Sequence, residues 1–229
     1  MALFPPFKKL LIEVVGWSIA YGGLTAFSVT FLKAAGMSES KILLATSIAF
    51  LGGLSSLWFL GARLDRLGSK PVLTFCCVAW VVVLTGWMLL SGNVFHLKLS
   101  VILALQFVMG LLAALVQMSN TRLAMAIIPS MGRNHFFAIY SVVGNVTLGV
   151  APVAWGLLID AVGSHAPHWI GLDWNRFTIF FAAAAAVFIG TLFYARQLDE
   201  PEAASMEELL KEILVHSPQR FLVRFWPRG

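Results

Sequence analysis

GARLDRLGS at residues 61–69 and GLLIDAVGS at residues 156–164 are two copies of one nine-residue pattern, and they determine the topology predicted for the chain. Both copies fit G-x-x-[LI]-D-x-[LV]-G-S, and each closes the second of three consecutive apolar segments. Because three segments separate the copies, the copies fall on opposite sides of a membrane. This arrangement is typical of an inverted-topology repeat. A chance match is the alternative, since glycine and aspartate often end membrane helices.

Six apolar segments surround the two copies. Each is long enough to cross a hydrocarbon core of about 30 Å, for which a helix needs roughly 20 residues. The segments are Leu10–Leu32, Ile42–Leu60, Val72–Leu90, Leu99–Ala124, Phe137–Ile159 and Phe177–Tyr194. The sequence therefore predicts an all-α membrane protein with six transmembrane helices, arranged as two inverted three-helix repeats. Six spans in 229 residues leave no room for a soluble catalytic domain.

The composition supports a membrane protein and excludes other classes. The chain is 59% hydrophobic and 12% charged, with a mean hydropathy of +0.84, whereas soluble proteins have roughly 45–50% apolar and about 25% charged residues. The net charge is +5, but the basic residues lie in short loops and form no basic face for a nucleic acid. The two cysteines, Cys76 and Cys77, are adjacent and cannot form a disulfide framework.

The distribution of lysine and arginine predicts the orientation, because cytoplasmic loops carry an excess of both. One side has Lys8, Lys9, Arg63, Arg66, Lys70, Arg122, Arg133 and Arg196, and the other has Lys33, Lys41, Lys98 and Arg176. We therefore predict an integral protein of the cell or inner membrane with both termini cytoplasmic. Residues 1–196 would form the transmembrane domain. Residues 197–229 would form a cytoplasmic tail with a short amphipathic helix, which begins at the capping box of Ser205 and Glu208.

Polar residues are concentrated in the first, fourth and fifth helices. Lipid offers such residues no hydrogen-bond partner, so they face protein or a watery cavity. The third and sixth helices are almost wholly apolar and are expected to face lipid nearly all round. The candidate cavity residues are Trp17, Tyr21, Gln106, Gln117, Asn120 and Asn145. The alternative for each is hydrogen bonding between helices, which contributes about 0.6 kcal/mol on average in a membrane.

Glu13 is the one acidic residue within the first helix. It could bind a proton or a cation that is coupled to transport. It lies only about 5 Å along the helix from Leu10, at about 1.5 Å per residue, so pairing with Lys9 near the membrane surface is the favoured interpretation.

Residues typical of other chemistry do not form recognisable sets. His165 and His168 stand near Asp160 and Asp173, but the two histidines lack a helical spacing, and loop histidines are usually solvated. We therefore predict no metal site and no cofactor. The sequence has no Ser/His/Asp set, no paired catalytic carboxylates and no phosphate-binding loop, so we predict no catalytic residues and no enzyme.

Residues 61–70 also resemble a known signature. GARLDRLGSK fills every specified position of G-x-x-x-D-[RK]-x-G-x-[RK], the loop between the second and third helices of the major facilitator superfamily. The fifth helix, with its glycines and Pro152, resembles the fifth or eleventh helix of that family. The resemblance implies transport of a small solute by alternating access. It also implies a conformational lock at Gly61, Asp65, Arg66, Gly68 and Lys70, for which a loop that only sets topology is the alternative.

The length departs from the family pattern, because members usually have two six-helix halves and this chain has one. It resembles the carboxyl-terminal half, and we expect a fragment, a split-gene product or a half-size protein. The expected partners are the lipid bilayer, a small-molecule substrate and a second six-helix half, in cis, in trans or as a homodimer. A membrane assembly or regulatory protein of the same fold, without transport, is the alternative function.

Overall fold

Each of the six predicted apolar segments forms one helix. The computed structural model describes residues 5–60, 68–129, 132–163, 167–169 and 171–198, and for residues 57–60 it describes the backbone alone. The helices are α1 (Pro5–Ala34), α2 (Glu39–Leu60), α3 (Ser69–Ser91), α4 (Leu99–Ile127), α5 (Arg133–Val162) and α6 (Arg176–Arg196). A hairpin of β1 (His168–Trp169) and β2 (Leu172–Asp173) connects α5 to α6. The predicted tail helix lies outside the described residues.

Helix length and composition agree with a membrane-spanning bundle. Among the described residues, α1, α3, α4, α5 and α6 are each long and apolar enough to cross a membrane. The remaining helix, α2, has 22 residues. At about 1.5 Å per residue it extends for about 33 Å, and its first turn contains the charged residues Glu39 and Lys41.

The packing of the helices follows the predicted repeat. The principal contacts pair α1 with α5, α2 with α4, and α3 with α6, and further contacts join α3 to α4 and α1 to α6. If α1 is exchanged with α4, α2 with α5 and α3 with α6, the same helix pairs are obtained again. The two three-helix units are therefore equivalent, as expected of an inverted repeat, with the α3–α6 pair mapping onto itself.

The nine-residue pattern keeps one conformational feature in both copies. Gly68, just before α3, has φ of 78°, and Gly163, just after α5, has φ of 65°. Both glycines occupy the eighth position of the pattern. A positive φ is easily adopted only by glycine, so the glycine in each copy is required by the backbone. This match makes a chance origin of the two copies a poor explanation.

Close glycine contacts join α2 to α4. A Cβ atom at Gly110 would overlap the carbonyl oxygen of Ala49, and a Cβ at Gly52 would overlap that of Phe107. These neighbours are backbone atoms and cannot rotate away. Small residues that let two backbones approach are the usual basis of helix association in lipid, and here they hold α2 and α4 together.

The equivalent pair, α1 and α5, is also joined through glycines. A Cβ at Gly22 would come within 2.7 Å of the Leu148 carbonyl oxygen, and a Cβ at Gly23 would overlap the indole of Trp155. The Trp155 indole nitrogen donates a hydrogen bond of 2.7 Å to the carbonyl oxygen of Ile19. The large side chain of Trp155 thus occupies the space that Gly23 leaves open.

The expectation that α3 and α6 face lipid nearly all round is wrong. Trp80 and Trp87 of α3 are fully buried. The Trp80 ring stacks on Phe188 of α6 at 5.1 Å, and the Trp87 ring stacks on Phe181 at 5.6 Å. The apolar side chains of these two helices pack against each other. Lipid tails and apolar side chains are equally suitable neighbours for such residues, so an apolar composition does not by itself indicate a lipid-facing helix.

One end of the bundle is held by a polar cluster between two loops. The Asn93 amide donates a hydrogen bond of 2.9 Å to Asp173, and His168 Nδ1 lies 2.7 Å from the other carboxylate oxygen of Asp173. These two contacts, the bond from Asn93 first, lower the pKa of Asp173 below its ordinary value of 3.8. The contribution of these contacts to stability is therefore present above pH 3.8 and is lost as the pH falls through the lowered pKa.

Candidate functional site

A cavity lined by apolar and polar side chains lies between α1, α2, α4 and α5. Its volume is about 640 Å³, and it is partly open to the surface. Ligand sites in proteins are typically about 300–1,000 Å³. The lining combines apolar side chains with amides and hydroxyls, and among the described residues none of it comes from α3 or α6. Those two helices pack behind the wall of the cavity.

The structure brings all six candidate cavity residues together around this one space: Trp17, Tyr21, Gln106, Gln117, Asn120 and Asn145. Trp17 and Tyr21 of α1 are one helical turn apart, and their rings stack at 4.7 Å with an angle of 11° between their planes. Asn145 belongs to α5, and the other three belong to α4. Contact of these residues with a substrate remains a prediction.

The aromatic wall is supported from behind. The Trp17 ring lies 5.7 Å from Trp80 of α3 and 5.8 Å from Phe188 of α6, with edge-to-face geometry in both contacts. The Tyr21 ring lies 6.0 Å from Trp80. The α3–α6 stack therefore fixes the position of the aromatic side chains that line the cavity.

The contribution of α2 to the cavity was not predicted from the sequence. Thr46, Phe50 and Gly53 line the cavity opposite α1, together with Ala49 and Leu54. Few of these residues are polar, so a search for polar side chains cannot find them. The usable signal is the spacing of the small residues Thr46, Ala49 and Gly53, which places them on one helix face. Tyr140 and Ser141 of α5 were also missed as candidates.

Glu13 does not pair with Lys9, so that interpretation is wrong. Lys9 donates its hydrogen bond to the carbonyl oxygen of Gln197, at 3.1 Å, just after α6. Glu13 is 0% exposed, and neither of its carboxyl oxygens has a hydrogen-bond partner among the described residues. The side chain of Asn120 lies beside the carboxyl, without hydrogen-bond geometry between them. Distance along a helix could not reveal this burial, because it results from the packing of α1 against other helices of the bundle.

The predicted lock loop is described only at its end. Gly61, Asp65 and Arg66 lie outside the described residues. Gly68 precedes α3, and Lys70 is half-buried in the first turn of that helix. The glycine conformation agrees with the tight turn that the signature requires, and the lock itself stays a prediction.

The residues considered for a metal site were His165, His168, Asp160 and Asp173, of which His165 lies outside the described residues. In the described ranges, no group of three or more His, Cys, Asp or Glu residues is arranged to hold a metal ion. His168 and Asp173 contact each other within the hairpin.

A bundle of long apolar helices is the architecture of an integral membrane protein. The family model of the Major Facilitator Superfamily matches residues 10–226, almost the entire chain, and the chain belongs to this family. Members of the family are transporters and not enzymes. Comparison with curated proteins finds no match.

Proposed function

We propose that the chain moves a small solute across the membrane by alternating access, as a six-helix half of a secondary transporter. The observation that carries the proposal is the polar cavity between membrane-spanning helices. It is lined by α1 and α2 of the first repeat and by α4 and α5 of the second. Polar side chains within membrane-spanning helices are unfavourable in lipid and typically mark a substrate or ion pathway.

The proposal includes a second six-helix unit that covers the open side of the cavity. Exposed apolar side chains stand beside the opening, with Phe50 on α2 and Val142 and Val146 on α5. Lipid cannot satisfy the amides and hydroxyls between them, whereas another polar-lined half can. A half in cis, a half in trans or a second copy of the chain would each fill this role.

Residues 61–70 are proposed to stabilise one conformation of the transporter. The family resemblance supports a lock in which the negative charge of Asp65 contacts a positive helix end and Arg66 supports it. Gly68 has a positive φ of 78°, which glycine adopts readily. Glu13 remains the candidate residue for coupling, because it is the acidic side chain buried beside the cavity wall and lacks an ionic partner among the described groups.

Both termini are proposed to be cytoplasmic. We expect Ser38→Cys to react with a membrane-impermeant maleimide on intact cells, and Lys8→Cys to react only after permeabilisation. Both positions are exposed. The native Cys76 and Cys77 are buried, so background labelling is low. The opposite labelling pattern would overturn the orientation.

Filling the cavity should abolish transport. We expect Ser141→Trp to remove saturable solute uptake, because an indole at this lining position occupies the space of the substrate. Uptake is measured over a panel of solutes, in vesicles from cells that express the chain with its second half. The control is Val82→Trp, a change of the same kind on α3, where the side chain is 66% exposed and lies outside the cavity.

The control should retain uptake at the level of the unmodified chain. Unchanged uptake by a well-expressed Ser141→Trp variant would show that the cavity is not the pathway. If the unmodified chain gives no saturable uptake of any solute together with its second half, transport itself is contradicted. A non-transporting membrane protein of the same fold would then be the better explanation.

A further inference from the structure

The cavity wall itself carries no charged side chain. Among the described residues, the lining contains no Lys, Arg or His and no Asp or Glu, and Glu13 directly precedes the lining residue Val14. On α1, Lys9 is bonded to Gln197, and Lys33 is exposed beyond the lining residue Val29. An anionic ligand would therefore be desolvated without a counter-charge, which is strongly unfavourable.

Hydrogen-bond acceptors without a partner lie together at one place beside the cavity. Asn120 lines the cavity and is 1% exposed. Its Oδ1 has no hydrogen-bond partner among the described residues, and the same holds for both carboxyl oxygens of Glu13 beside it. Val14 and Trp17, which follow Glu13 by one residue and by one helical turn, also line the cavity. The carboxyl thus lies directly behind the wall, and a ligand with N–H donors would supply the missing partners.

Aromatic faces adjoin these acceptors. Trp17 is on the same side of α1 as Glu13, and its ring is stacked on Tyr21. Tyr140 of α5 also lines the cavity. Aromatic rings attract cations through the negative potential of their faces, most strongly where water is excluded.

We propose that the cavity binds an organic ammonium cation with an aromatic or apolar body. The ammonium group donates to Asn120 and lies beside Glu13, and the body packs on Trp17 and Tyr21. The inference rests on the proposed transport function and names its substrate class. A neutral polyol would use the amides of the wall but would leave Glu13 without a positive partner.

Three probes with one ring system and different charges test the proposal: 2-(1-naphthyl)ethylammonium, 2-(1-naphthyl)ethanol and 1-naphthylacetate. Binding is measured by isothermal titration calorimetry on the purified full chain, with any unit that co-purifies. We expect the ammonium probe to bind at least tenfold more tightly than the alcohol, and the acetate to show no binding. Equal or tighter binding of the alcohol or the acetate, or no binding of the ammonium probe, would overturn the proposal.

Variants test the assigned residues. Glu13→Gln keeps the size of the side chain and removes its charge, so we expect at least a tenfold loss of ammonium affinity and no change for the alcohol. Glu39→Gln removes an exposed acid at the start of α2 and should leave both affinities unchanged. Retained preference for the ammonium probe in Glu13→Gln would overturn the assignment. If this variant does not fold, the probe series on the unmodified chain still decides the ligand class.

The experiments distinguish failure of the ligand proposal from failure of the transport proposal. Solute uptake that Ser141→Trp abolishes, combined with no binding of the ammonium probe, would overturn the substrate class and leave the transport function intact. Ammonium binding that depends on Glu13, without uptake of any solute, would support the binding site and contradict transport.

Discussion

Gly110→Ala is expected to lower the free energy of unfolding by about 1–3 kcal/mol, the usual cost of overpacking. The added methyl group would overlap the carbonyl oxygen of Ala49. Because that atom belongs to the backbone of α2, relief requires α2 and α4 to separate along their interface. Elsewhere in a helix the same change is stabilising by up to about 1 kcal/mol, since alanine has the higher helix propensity.

The measurement is the melting temperature of the purified protein in mild detergent, read together with the monodisperse fraction on size-exclusion chromatography. Gly190→Ala is the matched control, because a Cβ atom at that position of α6 meets nothing within 4 Å. We expect the control to melt at or above the temperature of the unmodified chain. Equal melting of Gly110→Ala and Gly190→Ala would contradict the backbone contact.

Saturable transport is expected to be absent when the chain is reconstituted as a single six-helix unit. One unit forms only one wall of the proposed pathway, and its polar side chains would face lipid on the open side. Uptake should appear when a second unit is present, as a dimer of the 25.0 kDa chain or with a different partner half. The expected effect is complete loss of uptake.

The experiment combines mass determination in mild detergent with uptake by proteoliposomes of the same preparation. Forms separated by size are reconstituted at equal protein amounts, so that oligomeric state is the single variable. A monodisperse monomer that carries out saturable uptake would contradict the need for a second half. A dimer or an inactive monomer would agree with it.

The sequence predicted the helices and six of the residues that line the cavity for one physical reason. A membrane penalises polar groups that lack a partner, so Gln106, Gln117 and Asn145 had to face inward within otherwise apolar helices. Their convergence on one cavity follows once the helices pack. The repeat could also be predicted from the sequence, because the backbone requires a glycine at positions 68 and 163.

Features that depend on tertiary packing could not be predicted from the sequence. The membrane interior and a packed protein interior are both apolar, so composition could not separate lipid-facing residues from Trp80 and Trp87. Whether Glu13 reaches Lys9 depends on the end of α6, which contacts Lys9 at Gln197 and is distant in sequence. The lining residues of α2 are mostly small or apolar, and their role depends on which helix lies opposite.

The placement of α3 and α6 has a mechanical consequence. The pairs α1–α5 and α2–α4 each have backbone contacts at glycine and so behave as stiff bodies. Contacts between α1 and α2 and between α1 and α4 are sparse, and the principal link between the bodies runs through α3 and α6. A rotation of one body against the other would therefore pivot at the stacked rings of Trp80 and Phe188. Side chains outside the cavity would then set the width of its opening.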